Sequence, residues 1–118
     1  MPEQSFDVDR FRAAFRARDV TAWLGFFAEE AAWVSCGPDG SDDLRCIMGQ
    51  AAIAQALRDT AHWPEVLAVD EPEVDANHVR FRAWCRKDNG QRSVTHMMLL
   101  TEGVRIRRQV DVDITQEP

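Results

Sequence analysis

The side chains of this chain best suited to nucleophilic or metal chemistry are three cysteines and three histidines, and their spacing argues against most of that chemistry. Zinc sites draw their ligands from close pairs of cysteines or from two histidines four apart on one helix face. Cys36, Cys46 and Cys85 form no such pattern, and His62, His78 and His96 are scattered. No metal and no other cofactor is expected. Cys36 and Cys46 could in principle pair across the loop between them. The N-terminus, MPEQSFDVDR, has neither the basic start nor the apolar stretch of a secretory leader, so free thiols and a cytoplasmic chain are the expectation. Cys36 and Cys85 read as buried small hydrophobes. Asp39, Asp42 and Asp43 lack the regular oxygen-ligand spacing of a calcium loop and read as a solvated acidic turn.

Two polar positions stand inside otherwise apolar strands. His96 reads first as a buried histidine that hydrogen-bonds a neighbour. Near the C-terminus, Ile106, Val110, Val112 and Ile114 share one face of a strand while Gln109, Asp111 and Asp113 share the other. Alternation alone would bury the aliphatic face and leave both aspartates in water.

The elements that must position these residues follow from periodicity. Val8, Phe11, Ala14 and Phe15 recur at helical spacing. Asp19 stands at an N-cap position before a second one-sided pattern of Val20, Trp23, Leu24 and Phe27. Ala31 to Cys36 reads as a strand running into Gly37-Pro38-Asp39-Gly40, followed by a polar loop to Arg45. Gly49 precedes a third helix through Ile53, Ala54 and Leu57 that should end near Trp63-Pro64. The period then changes from helical to alternating. Four strands are expected, Val66 to Val74, His78 to Lys87, Arg92 to Thr101 and Val104 to Thr115, with tight turns at Asp88-Asn89-Gly90 and Glu102-Gly103.

One α+β domain over residues 1–118 is the expectation, since 118 residues with 45% hydrophobic and 29% charged side chains suit a single core. No apolar run approaches the roughly 20 residues that cross a bilayer. A net charge of −6 weighs against a nucleic-acid partner, which would need a positive surface. The arginines at 80, 82 and 86 with Lys87, and those at 105, 107 and 108, read as the wet edges of strands. Trp23, Trp63 and Trp84 read as core or interface, and Trp33 as a pocket wall.

This order of elements resembles the nuclear-transport-factor-two-like superfamily, and within it the SnoaL-like polyketide cyclases and the ketosteroid isomerases. The likeness is carried by Arg18-Asp19-Val20, by Phe27-Ala28-Glu29-Glu30-Ala31, by Gly49-Gln50-Ala51-Ala52-Ile53 and by Glu102-Gly103-Val104-Arg105-Ile106. It implies a cystatin-like cone: a curved mixed sheet, backed by three N-terminal helices, around a pocket for a small apolar molecule. Phe11, Phe27 and Leu57 fall where the isomerases keep tyrosines, and Ser35 where they keep their general base. A serine hydroxyl cannot take a carbon-bound proton unaided, so the familiar steroid isomerisation is not expected.

The resemblance places His96 where SnoaL-like cyclases often hold a histidine and Asp111 at their acid-base aspartate. It implies a pocket walled by Phe11, Phe27, Trp33, Ser35, Leu57, Phe81, Met98 and Asp113. The reaction it points to is proton transfer, an isomerisation or aldol-type cyclisation of an apolar carbonyl compound, by His96 and Asp111 together. The alternative is a non-catalytic ligand-binding or dimerisation module on the same fold. Epoxide hydrolysis, a third chemistry of the superfamily, wants an Asp-Arg-Asp arrangement, and no second pocket carboxylate placed with an arginine is evident. With Asp111 pointing inward, the aliphatic face becomes convex, and a homodimer through that face would cover it.

Overall fold

A computed structural model describes residues 5–36, 44–59 and 64–115, without the side chains of 44, 59 and 115. The acidic loop of Asp39, Asp42 and Asp43, together with His62, Trp63 and the expected helix end there, lies outside the described residues.

Helix α1 spans Val8–Ala17, capped by the Asp7 carboxylate, which accepts from the Arg10 N–H. Arg18 ends it in the left-handed region at φ 54, its N–H bonded back to the last turn. Asp19 caps the short α2, Val20–Leu24, by accepting from the Ala22 N–H. Phe27 does not continue α2 as its spacing suggested. Gly25 closes the helix, and Phe27 opens strand β1, Phe27–Cys36, where it pairs with Ile106.

Strand β2, Leu44–Met48, begins within the polar stretch expected to be loop as far as Arg45, and it pairs antiparallel with β1. Helix α3 is Gln50–Asp59. The expected strand from Val66 to Val74 is two pieces, β3 (Glu65–Val69) and β4 (Glu73–Asp75), separated around Pro72, which has no N–H to give a ladder. Strands β5 (His78–Arg86), β6 (Arg92–Glu102) and β7 (Arg105–Thr115) complete a sheet of order β2-β1-β7-β6-β5-β3, with β4 also on β5. β1 and β7 run parallel and the other pairs antiparallel, so the sheet is mixed. Gly90 and Gly103 take φ 85 and 60 in the two hairpin turns, a region that favours glycine.

One irregularity decides which side chains meet. After the turn, Glu102 pairs with Arg105 and Thr101 with Ile106; the next pair is Leu100 with Arg108. β7 carries one extra residue, Arg107, and this bulge shifts every later partner by one. Without it, His96 would lie opposite Asp111. With it, His96 lies opposite Val112, and Met97 lies opposite Asp111.

The three helices cover the inner face of the sheet. Phe11, Phe27, Ile53 and Ile106 are fully buried there, with Trp23, Leu57, Met97 and Leu99 nearly so. Phe11 contacts Phe6, Phe15, Trp23, Phe26 and Phe81 at ring-centroid distances of 5.5–6.5 Å. Ring pairs in that range add a modest attraction to the burial of their area.

Candidate functional site

Cross-strand partners point the same way, so register assigns each side chain to a face. On the inner face Ser35 stands beside Asp111, Met97 faces it from β6, and Thr95 faces Asp113. His96 is on the outer face, paired with Arg82 and Val112, and so is Met98, which is 41% exposed. The expected partnership of His96 with Asp111 is therefore not formed: the sheet itself separates them. Nor is Met98 on the inner face; its neighbour Met97, 1% exposed, takes that place. His96 instead lines an outer groove of about 360 Å³ with Asp70, Glu73, Arg80, Arg82 and Met98.

The other expected pocket residues divide into two groups. Phe11, Phe27, Leu57 and Phe81 are packed solidly into the core. Trp33, Ser35, Asp111 and Asp113 lie toward the opposite end of the inner face, where Ser35, Asp111 and Asp113 keep partial exposure.

Asp111 is held from two sides. Trp33 Nε1 donates to its Oδ2 at 2.7 Å, and Gln109 Nε2 donates to Oδ1 and Oδ2 at 3.1 and 3.2 Å. Gln109 is itself completely buried, and its Oε1 accepts from Trp23 Nε1 at 3.1 Å. An indole N–H only donates and an ionised carboxylate only accepts, so this chain fixes which way the amide points. Removal from water is the largest influence on the Asp111 carboxyl, and it prevails over the bonds from Trp33 and Gln109 and the charge of Arg18. The pKa is pushed up from 3.8 to about 6.

Arg18 and Gln109 are the residues the sequence reading missed. The left-handed turn at Arg18 lays its guanidinium over the Phe15 ring at 4.6 Å, where Nε and an Nη both donate to the Pro64 carbonyl at 3.2 Å. Burial lowers the Arg18 pKa, opposed by its attraction to Cys85 and Asp111. Cys85, 1% exposed, has its thiol pKa raised by the same loss of water, with Arg18 pulling the other way. Asp113 accepts from Thr95 Oγ1 at 3.3 Å and adds its negative charge near Asp111. Asp113, on the same face, and Arg18 both act electrostatically on Asp111, the one raising and the other lowering its pKa. A left-handed, non-glycine residue just after a helix is the one signal at Arg18, and it is visible only in the backbone. Among the described residues no cluster of histidine, cysteine or acidic side chains is placed to hold a metal ion.

No protein-family model matches this chain, and no curated protein does. Solved structures do. An NTF2-like protein of unknown function from Burkholderia xenovorans superposes with a TM-score of 0.76 over 94% of this chain and 82% of its own, at 12% identity. The fold is nuclear-transport-factor-two-like. A Catenulispora acidiphila protein with a ketosteroid-isomerase-like fold, solved in complex with trimethylamine, shares this NTF2-like architecture. Its TM-score is 0.64 at 18% identity, over 88% of this chain and 82% of that one. A Sphaerobacter thermophilus protein matches over 93% of both chains, with a TM-score of 0.69 and 17% identity. At such identities the likeness carries the NTF2-like fold and no reaction.

Proposed function

We propose that this chain is an acid–base enzyme acting on a small, mostly apolar carbonyl compound, by isomerisation or aldol-type cyclisation, with Asp111 as the base. The observation that carries the proposal is a carboxyl on the inner face, held by the Trp33 and Gln109 donors and so withdrawn from water that its pKa rises to about 6. At neutral pH such a group is mostly ionised, yet basic enough to accept a proton from a carbon next to a carbonyl. Trp33 and Gln109 fix its orientation before substrate arrives, so little reorganisation accompanies the transfer. The charge that develops on the carbonyl oxygen needs a fixed positive partner. With His96 on the other face, Arg18 takes that role, and the Phe15 ring beneath it limits access of water. Asp113 and Ser35 supply the remaining polar contacts at this end of the wall.

The test is hydrogen exchange. Small aromatic and polyketide-like ketones that raise the melting temperature are incubated in D2O with the wild-type protein and with Asp111→Asn. The wild type should exchange the proton next to the carbonyl, and the variant should lose about 10³-fold or more of that rate. Equal exchange by both proteins, or binding without exchange, would sink the catalytic reading and leave a ligand-binding module. Hydration of a small epoxide, lost in Asp111→Asn and in Asp113→Asn alike, would instead favour epoxide hydrolysis. The joint electrostatic influence of Asp113 and Arg18 on Asp111 makes that the second reading.

A further inference from the structure

Ser35 and Asp111 are neighbours on the inner face, and their row continues one strand further. On β2 the residue paired with Ser35 is Arg45, and the residue paired with Trp33 is Ile47. Ile47 packs against the buried core. Arg45, two positions away on the same strand, therefore lies on the same face as the Asp111 carboxyl. Ser35 alone stands between them in the row Arg45, Ser35, Asp111. Two strand spacings, about 10 Å, separate the two backbones.

Arg45 differs from four other arginines of the sheet. Arg80 meets Glu73 at 3.2 Å, Arg82 meets Asp70 at 2.8 Å, Arg86 meets Glu65 at 2.6 Å and Arg107 meets Glu102 at 3.0 Å. Arg45 is exposed, and among the described residues no carboxylate or carbonyl holds its guanidinium. Arg18, by contrast, is already engaged, stacked over Phe15 and bonded to the Pro64 carbonyl. A guanidinium keeps its charge at every working pH, and its planar fork matches a carboxylate with two parallel hydrogen bonds. The neighbouring row, Ile47 and Trp33, is apolar, so a ligand lying along β1 and β2 meets an apolar wall beside its polar ends.

We propose that Arg45 is a specificity-determining residue and that the substrate is a carbonyl compound bearing a remote carboxylate. The carboxylate sits on Arg45, and the carbon that gives up its proton lies at Asp111. This rests on the acid–base reading for the reaction and on the sheet register for the anchor. Binding energy gathered at a distant acid group orients the reacting carbon without touching it.

The probes are para-acetylphenylpropanoate and its methyl ester, which differ by one charge. Isothermal titration calorimetry at neutral pH gives their dissociation constants for the wild type, Arg45→Met, Arg45→Lys and Asp111→Asn. The wild type should bind the acid about 10-fold more tightly than the ester, and the preference should shrink as salt is raised. Arg45→Met should bind both alike, and Arg45→Lys should keep part of the preference. Both substitutions fall at an exposed position, so the melting temperature should stay that of the wild type. Asp111→Asn should keep the preference while losing hydrogen exchange. Equal binding of acid and ester by the wild type would overturn the proposal. So would failure of the acid to bind, or a preference that survives in Arg45→Met. A preference lost in Arg45→Met, with no hydrogen exchange in the wild type, would sink the acid–base reading and leave Arg45 as an anion anchor. Exchange of acid and ester at one rate, with no preference between them, would do the reverse.

Discussion

At the scale of single residues, the carboxyl of Asp111 couples chemistry to stability. Its folded pKa of about 6 lies above its ordinary 3.8, so its stabilising share is fully present below pH 4 and is lost as pH rises through about 6. A shift of about two units corresponds to about 3 kcal/mol. Urea unfolding of the wild type and Asp111→Asn across pH 4 to 8 should therefore show the difference moving by about 3 kcal/mol in favour of Asn, then levelling above pH 7. The same ionisation should make kcat/KM rise with pH through about 6 and reach a plateau, as a base requires. Gln109→Leu removes the acceptor for Trp23 and a donor to Asp111 together, and should cost about 2–4 kcal/mol in urea melts. For Arg18, Met should lower turnover about 10²- to 10³-fold, and Lys should restore part of it by returning the positive charge. Asp111 was legible as a candidate only through the family resemblance, since alternation alone would leave it in water. The buried glutamine beside it was not, since a lone Gln in a strand looks like any solvated polar residue until its neighbours are known.

Elements were legible where one period ran unbroken. The patterns of α1, β5 and β6 required little more than counting, and Asp19 announced α2. Removing that cap, as Asp19→Ala, should cost about 1 kcal/mol, read from the urea midpoint. Phe27 misled because helical spacing persisted past Gly25, and only pairing with Ile106 makes that residue a strand. The bulge at Arg107 misled in a more consequential way. It breaks the alternation of β7, so that Ile106 and Asp111, of opposite parity, both face inward. It also slides His96 away from Asp111, because a one-residue slip carries every side chain to the other face. Deleting Arg107 would make the pairs Thr101 with Ile106 and Leu100 with Arg108 consecutive, so that Gln109 and Asp111 keep the inner face. A retained cooperative urea transition is the expected result.

For the molecule as a whole, the fold was legible from the order of its elements, while the division of labour between the two faces was not. Among the described residues seven strands share one sheet, and β7 lies in its middle, parallel to β1 on one side and antiparallel to β6 on the other. Among the described strands, the pair β1 and β2 joins the rest of the sheet only through β7. During synthesis, then, β1 and β2 emerge early and wait, their sheet-edge N–H and C=O groups unmatched, until residues 105–115 arrive to slot between the halves. Such distant pairing is slow to form and leaves strand edges open to wrong partners meanwhile. A nascent chain halted before Arg105 should be sensitive to protease throughout β1, and one released past Thr115 should not.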